Sequence, residues 1–229
     1  MVPGSRLLLI AALAALTGCK AELLGVELPR GGRDAISQED LQRDTWSLSQ
    51  IPDRPTNPDA VAQTLSMRFQ QMHTRPGYSR SYVDAAGAAR IICAEKDGRG
   101  EERVLLLATD DGTVSGGAVP SAALVSVLKG FDTPQAPPRS VVVCVLVGEG
   151  AEARFLKQPP LPLDGADIHL IGPLGEGAPR TEAAALGPHA AQRHALGQPP
   201  TPDTMESRDY RAVREAVVAL FDRVAAEPE

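Results

Sequence analysis

Residues 140–147 read SVVVCVLV, an uncharged run in which valine dominates. A β-branched run that is apolar at both odd and even positions is typical of a strand buried on both faces. A sheet with one face in water shows an alternation of apolar and polar residues instead. The run therefore predicts a strand that is covered on both sides, which limits the chain to layered folds.

The segments around this run alternate between strand and helix patterns. Strands are predicted at 90–95, 103–108, 140–147 and 166–172. Helices are predicted over 36–49, from Asn57 and Pro58 to Met72, over 118–130 with Gly130 as the stop, and from Glu206 onward. Strand–helix alternation predicts a three-layer α/β/α sandwich with a mainly parallel central sheet. Residues 173–202 are rich in Gly, Pro, Ala and His, and their pattern supports no assignment.

Charge and composition exclude one class of partner. The formal net charge is −6, and no stripe of lysine and arginine is present, so we expect no nucleic-acid binding. Aromatic residues make up only 3% of the chain, so the core has to rest on Val, Leu, Ile and Ala.

The N-terminus has the pattern of a bacterial lipoprotein signal. The basic start MVPGSR precedes the apolar segment 7–16, which is too short to span a bilayer, and L-T-G-C ends at Cys19. We expect a signal peptide over 1–18, lipidation of Cys19, a tether over 19–35 and one domain over 36–229. Lys20 after the lipidated cysteine favours the outer membrane of the cell envelope. The alternative is an ordinary secretory signal with a chance cysteine.

Cys93 and Cys144 each lie in an apolar run that is predicted to be a strand. Two buried thiols that pack as small hydrophobic side chains are the favoured interpretation. In an exported chain a disulfide is the alternative. No cysteine pair has the spacing of a metal site.

Five short segments follow predicted strands or precede predicted helices, in this order along the chain: A-T-D-D (108–111), G-A-V-P (117–120), G-E-G (148–150), I-G-P-L-G (171–175) and P-T-P-D-T (200–204). They resemble the motifs of the M28 family of zinc exopeptidases. In the family, strands and turns end in A-H-x-D, G-A-x-D, G-E-E and L-D-x-x-G, and H-T-P-x-D-T precedes the last helix. The segment 36–54 also resembles the first helix of the family and the arginine after it, here Arg54.

The resemblance implies that the metal ligands of the family have been lost. The five ligand positions of the family fall on Thr109, Pro120, Gly150, Gly172 and Pro200. None of these is a strong zinc ligand, and the side chains of proline and glycine offer no donor atom. Asp111 matches the acid that orients a ligand, and Glu149 matches the general base. No metal or other cofactor is expected.

Other polar residues form weaker candidate sites. A rebuilt metal site is conceivable from Asp110, Asp111, Glu149, His169 and Asp203, although His169 lies within a strand. His189 and His194 are five residues apart and would not share a face of a helix. Ser115 and Ser121 lack the G-x-S-x-G context of a serine nucleophile, and His73 is expected to be a surface or capping residue.

These features together predict a lipid-anchored envelope protein with a catalytically inactive peptidase-like domain that binds or scaffolds a protein partner or peptide. One alternative is an active zinc aminopeptidase with substitute ligands. Another is a purely structural subunit of an envelope assembly.

Overall fold

A computed structural model describes residues 31–73, 78–133, 135–172, 179–196 and 209–226. The helices are α1 (Gln38–Ser49), α2 (Pro58–His73), α3 (Val119–Gly130), α4 (Ala151–Lys157) and α5 (Asp209–Ala225). The strands are β1 (Tyr78–Ala86), β2 (Ala89–Lys96), β3 (Arg103–Asp110), β4 (Ser140–Val147), β5 (Asp167–Gly172), β6 (Arg180–Leu186) and β7 (His189–Ala195). A π-helical segment, Val114–Ala118, precedes α3.

The strands form one sheet in the order β1-β2-β4-β3-β5-β7-β6. Strands β4, β3, β5 and β7 are parallel neighbours, while β1, β2 and β6 are antiparallel to the strands beside them. The mainly parallel centre is the one that the sequence predicts. The antiparallel strands at the two ends of the sheet belong to hairpins, and three of their four strands were not predicted.

The hairpin β6–β7 explains why residues 173–202 gave no pattern. Its strands read RTEAAAL and HAAQRHA, which lack the β-branched and aromatic residues that mark most strands. The strands are joined by a two-residue turn in which Gly187 has a φ of +57°, a conformation that glycine adopts at little cost. The turn, rather than strand propensity, defines this hairpin.

Strand β4 is buried on both faces, as its sequence predicts. Alternate residues from Val141 to Val147 pack in a core with α2, α3 and α5. Val142, Cys144 and Leu146 face the other way, into a smaller core with Phe155 of α4. The sandwich therefore has three layers, but among the described residues the second outer layer contains one helix of seven residues and the loop that follows it.

The expectation of free thiols at Cys93 and Cys144 is wrong, because the two residues form a disulfide. They are directly opposite each other on the antiparallel strands β2 and β4, with their Cα atoms 4.2 Å apart. Both side chains point into the smaller core. Sequence alone did not show this pairing, because it depends on the register of two strands 51 residues apart.

Gly130 has a different role from the predicted one. It is the last residue of α3 and does not have a positive φ, so it is not a left-handed helix stop. A Cβ atom at this position would lie 2.7 Å from the ring of Phe221 on α5. The glycine is therefore needed for the close approach of α3 and α5.

The predicted starts of the first two helices are confirmed. The hydroxyl of Ser37 accepts a hydrogen bond from the backbone N–H of Asp40, and Asn57 accepts one from Ala60. The four apolar positions predicted for one face of α2 are all buried in the larger core: Val61, Leu65, Phe69 and Met72. Among the described residues, no helix is long and apolar enough to cross a membrane.

Candidate functional site

The carboxyl ends of the parallel strands bring most of the predicted site positions to one edge of the sheet. In β3, Thr109 pairs with Leu146 and Asp110 with Val147 at the end of β4, and Ala108 pairs with Ile171 one residue before Gly172. Glu149 and Gly150 follow β4 directly and are exposed. This edge, formed by Thr109, Asp111, Glu149, Gly150 and Gly172, is called the strand-end site below. Ligands of open α/β sheets bind at such an edge.

Asp110 and Asp111, two of the acids considered for a rebuilt metal site, have different environments. Asp110 is the last residue of β3 and its side chain is completely buried, whereas Asp111 is exposed. Asp110 forms an ion pair with Arg54, whose side chain is 4% exposed. Its Oδ1 also accepts a hydrogen bond of 2.9 Å from the backbone N–H of Gly112. The buried carboxylate is thus held by donors of the protein itself.

The ion pair also fixes the segment that leads from α1 to α2. Arg54 donates from Nη1 to the carbonyl oxygen of Leu48 at 2.5 Å, near the end of α1. Burial lowers the pKa of Arg54 and raises that of Asp110, and the attraction between the two charges opposes both changes. The pair therefore connects the linker, the end of α1 and the end of β3 at one buried point.

Two glycines of the π-helical segment allow the backbone to approach both acids. A Cβ atom on Gly117 would lie 2.0 Å from Oδ1 of Asp110, and one on Gly116 would lie 2.1 Å from Oδ2 of Asp111. Oδ1 of Asp111 accepts hydrogen bonds from the backbone N–H and the hydroxyl of Thr113, at 2.8 and 2.7 Å. Asp111 therefore stabilises the turn before α3.

The residues of the strand-end site do not fit a zinc pair. Zinc needs imidazole nitrogens, thiolates or carboxylate oxygens at about 2.0–2.3 Å. The ligand positions hold an exposed threonine and residues without a side-chain donor, and Pro120 lies buried in the first turn of α3. Within the part of the chain that the structure describes, no group of three or more His, Cys, Asp or Glu could hold a metal ion. Pro200 and Asp203 lie outside the described residues.

The histidines and serines proposed as rival candidates are not at the strand-end site. His169 is fully buried within β5, where its Nδ1 lies 2.8 Å from Nε2 of His194 on β7. His189 and His194 lie on one strand and, because they are five apart, on opposite faces of it. Ser121 is buried and its hydroxyl donates to Asp110 at 3.4 Å. The side chains of His73 and Ser115 lie outside the described residues.

Sequence reasoning missed two features of this region. The sequence indicates Arg54 only by its place after the first helix, and its buried partner Asp110 only as a member of a conceivable metal site. The pairing of His169 with His194 depends on β7, which the sequence did not predict. The one available signal was the unusual presence of a histidine in the apolar strand 166–172.

Comparison with solved structures shows the same fold in several enzymes, one of which is described as zinc-dependent. A Zn-dependent exopeptidase from Parabacteroides distasonis superimposes with a TM-score of 0.64 at 11% identity, over 83% of this chain and 98% of the other. A glutaminyl cyclase from Bacteroides thetaiotaomicron gives 0.63 at 12% identity, over 85% and 99%. An aminopeptidase from Legionella pneumophila gives 0.61 at 9% identity, over 86% and 74%.

These comparisons confirm the predicted zinc-exopeptidase-like fold. At such low identities a likeness shows the fold and not the activity. Neither a protein-family model nor a curated protein sequence matches the chain.

The buried ion pair predicts different effects for the two neighbouring acids. Asp110→Asn leaves the charge of Arg54 buried without compensation, and we expect the free energy of unfolding to fall by about 3 kcal/mol or more. Asp111→Asn is the matched control, since it makes the same change at an exposed residue, and we expect a loss below about 1 kcal/mol. Urea denaturation of both variants measures this, and equal losses would show that the pair is not the stabilising element.

Proposed function

We propose that this chain is a lipid-anchored envelope protein whose peptidase-like domain does not catalyse peptide hydrolysis and instead binds or scaffolds a partner. The observation that carries the proposal is the composition of the strand-end site. Thr109, Gly150 and Gly172 are the positions at which the resemblance implies metal ligands, and they offer no set of zinc-binding atoms. Pro120, the fourth described position, is buried in α3.

The remaining acids do not provide an alternative catalytic machine. Asp110 is neutralised by Arg54, and Asp111 accepts hydrogen bonds from its own turn. Glu149 is exposed after β4 and has the side chain of a general base. A general base needs a water or hydroxyl that is acidified, which in zinc enzymes is the work of the metal. Without that group, Glu149 is proposed to contribute charge to a binding surface.

The domain boundaries proposed for this function are a signal peptide over 1–18, a tether over 19–35 and a binding domain over 36–229. The disulfide in the smaller core supports export, because structural disulfides persist mainly in oxidising compartments such as the periplasm. The lipid on Cys19 would hold the domain at the membrane. Lys20 favours the outer membrane as that membrane.

Metal analysis of the full chain, purified in detergent after lipidation, tests the loss of catalysis. We expect substoichiometric zinc even after incubation with added zinc, and no turnover of aminoacyl substrates above a blank. The physical reason is that the described positions hold a threonine, which is not a strong zinc ligand, and residues whose side chains have no donor atom. Two bound zinc ions together with aminopeptidase activity that a chelator abolishes would instead establish an active enzyme with substitute ligands.

Binding at the strand-end site is tested by a photo-reactive amino acid placed at Glu149 in cells. We expect a discrete cross-linked adduct, because Glu149 is exposed at the edge where the strands end. Glu182, equally exposed but on the strand β6 at one side of the sheet, is the control position and should not give this adduct. The binding proposal fails if Glu149 gives no adduct, or only the adducts that Glu182 also gives.

The anchor is tested separately by Cys19→Ala. Several acyl chains on one residue give firm membrane attachment, at about 0.8 kcal/mol for each buried CH₂ group. We expect the wild-type chain in the membrane pellet and the variant either in the soluble fraction or uncleaved. Cys93→Ala with Cys144→Ala removes the other two cysteines and should leave the membrane attachment unchanged.

A further inference from the structure

A network of polar side chains lies on the face of the sheet that carries the larger core, near the C-terminal end of α5. His169 Nδ1 lies 2.8 Å from His194 Nε2, and His194 Nδ1 lies 3.1 Å from the hydroxyl of Thr181 on β6. On its other side, His169 Nε2 lies 3.1 Å from Oδ2 of Asp167. His169 is completely buried and His194 is 6% exposed. The predicted function uses none of these residues.

The protons of this hydrogen-bonded network have one consistent arrangement. The Asp167 carboxylate faces Nε2 of His169, so that nitrogen carries the proton, although its N–H is not aimed squarely at the oxygen. Nδ1 of His169 is then an acceptor, and Nε2 of His194 donates to it. Nδ1 of His194 is left to accept from Thr181. Each imidazole carries one proton in this arrangement. A proton added to Nδ1 of His194 reverses the hydrogen bond with Thr181, whose hydroxyl can also accept, and puts a positive charge into the buried pair.

Two arginines connect this hydrogen-bonded network to the end of α5. Arg139, in the loop before β4, donates to Asp167 at 3.0 Å and to the carbonyl oxygens of Arg223 and Val224 at 3.3 Å each. Arg223 of α5 donates to Gln192 of β7 at 2.7 Å. These bonds attach the last turn of the helix to strands β5 and β7.

The charges around the two histidines oppose protonation of His194. Asp167 on β5, Arg139 in the preceding loop and Arg223 on α5 are the charged groups near the pair. On β3, the residue that pairs with His169 is the uncharged Leu106. The charged residues Arg193 and Glu182 lie next to His194 and Thr181 in sequence, but their side chains point to the opposite face of the sheet. Burial, followed by His169 and Arg223, lowers the pKa of His194 to about 4.

The order hydroxyl, imidazole, imidazole, carboxylate resembles the relay of a nucleophilic enzyme, but the electrostatics argue against that role. A general base works best when its pKa is near the working pH. The low pKa of His194 makes it a weak base at neutral pH. The arrangement instead suits a group whose protonation has a structural cost.

We propose that the His169–His194 pair is an acid-sensitive latch for helix α5. In its neutral form the pair completes the hydrogen-bonded chain that holds the last turns of α5 on β5 and β7. Protonation of His194 adds a buried positive charge beside Arg223, and the repulsion separates the end of the helix from the sheet. The inference stands apart from the proposed function, since it involves neither the strand-end site nor the anchor.

The direction of the pH dependence follows from the two protonation states. The pKa of His194 is lowered from 6.5 to about 4 in the folded chain, so the opened state binds more protons between these values. The latch is therefore complete above about pH 6.5 and weakens as the pH falls toward 4. His169 and Arg139 lower the pKa of Asp167 to about 2, so its titration does not enter this range.

Hydrogen exchange of the full chain from pH 7 to pH 4.5, expressed as protection factors, tests the latch. Uptake of one proton on opening predicts that protection of the last turns of α5 falls about tenfold per pH unit below pH 6. Amides of α2, which packs on the other end of the same face, should keep their protection. The latch is overturned if α2 and α5 lose protection together, because the acid effect is then global.

Two variants give the matched comparison. His194→Gln keeps a donor toward His169 but cannot be protonated. We expect this variant to lose the dependence of about tenfold per pH unit that one proton gives to the exchange of α5. His189→Gln removes an imidazole from the same strand but the opposite face, 3.6 Å from exposed Asp164, and should keep the wild-type dependence. An unchanged pH dependence in His194→Gln would refute the proposal.

A measurement on the unmodified chain keeps the proposal testable if His194→Gln does not fold. NMR titration of the imidazole resonances should find His194 neutral well below its ordinary pKa of about 6.5. Titration of His194 at its ordinary value would overturn the latch, because protonation would then have no structural cost.

Discussion

The burial of β4 on both faces is the constraint on which the rest of the structure depends. A strand with Val141, Val143 and Val145 on one face and Val142, Cys144 and Leu146 on the other needs two separate cores. Helices α2, α3 and α5 supply one of them. Among the described residues, one short helix and the loop after it close the other core. The Cys93–Cys144 disulfide joins β2 to β4 in this thinner layer. The covalent link stands where the packing layer is smallest.

The same constraint places the strand-end site. Because β3, β4 and β5 run parallel, their carboxyl ends lie side by side, and the residues after them share one edge. Near this edge the buried ion pair between Arg54 and Asp110 is directed inward and holds the linker after α1. The pair therefore stabilises the fold, and the exposed surface of the strand-end site carries the side chains of Asp111 and Glu149.

Much of the fold was predictable because its elements have strong local patterns. The β-branched run of β4, the amphipathic pattern of α2 and the cap at Ser37 each determine structure over short distances. The misses have a common cause in long-range geometry. The disulfide requires the register of β2 against β4, the role of Gly130 requires the position of Phe221, and the histidine pair requires a hairpin of alanine-rich strands. Positions of the candidate site were predictable only through the ordered motifs, and the environments of Asp110 and Asp111 were not.

The predicted ligand positions differ in how closely the backbone depends on the residues that occupy them. Gly150 has a φ of +77°, which strains any residue with a side chain, and Pro120 occupies the first turn of α3, where its missing N–H costs no hydrogen bond. Thr109 is exposed, and a Cβ at Gly172 would meet only the flexible side chain of Arg193, at 3.7 Å. A ligand side chain would therefore disturb the backbone at Gly150 and Pro120, whereas Thr109 and Gly172 have room for one. A metal site at the four described positions would therefore require a change of backbone at the starts of α3 and α4, and not only a change of side chains.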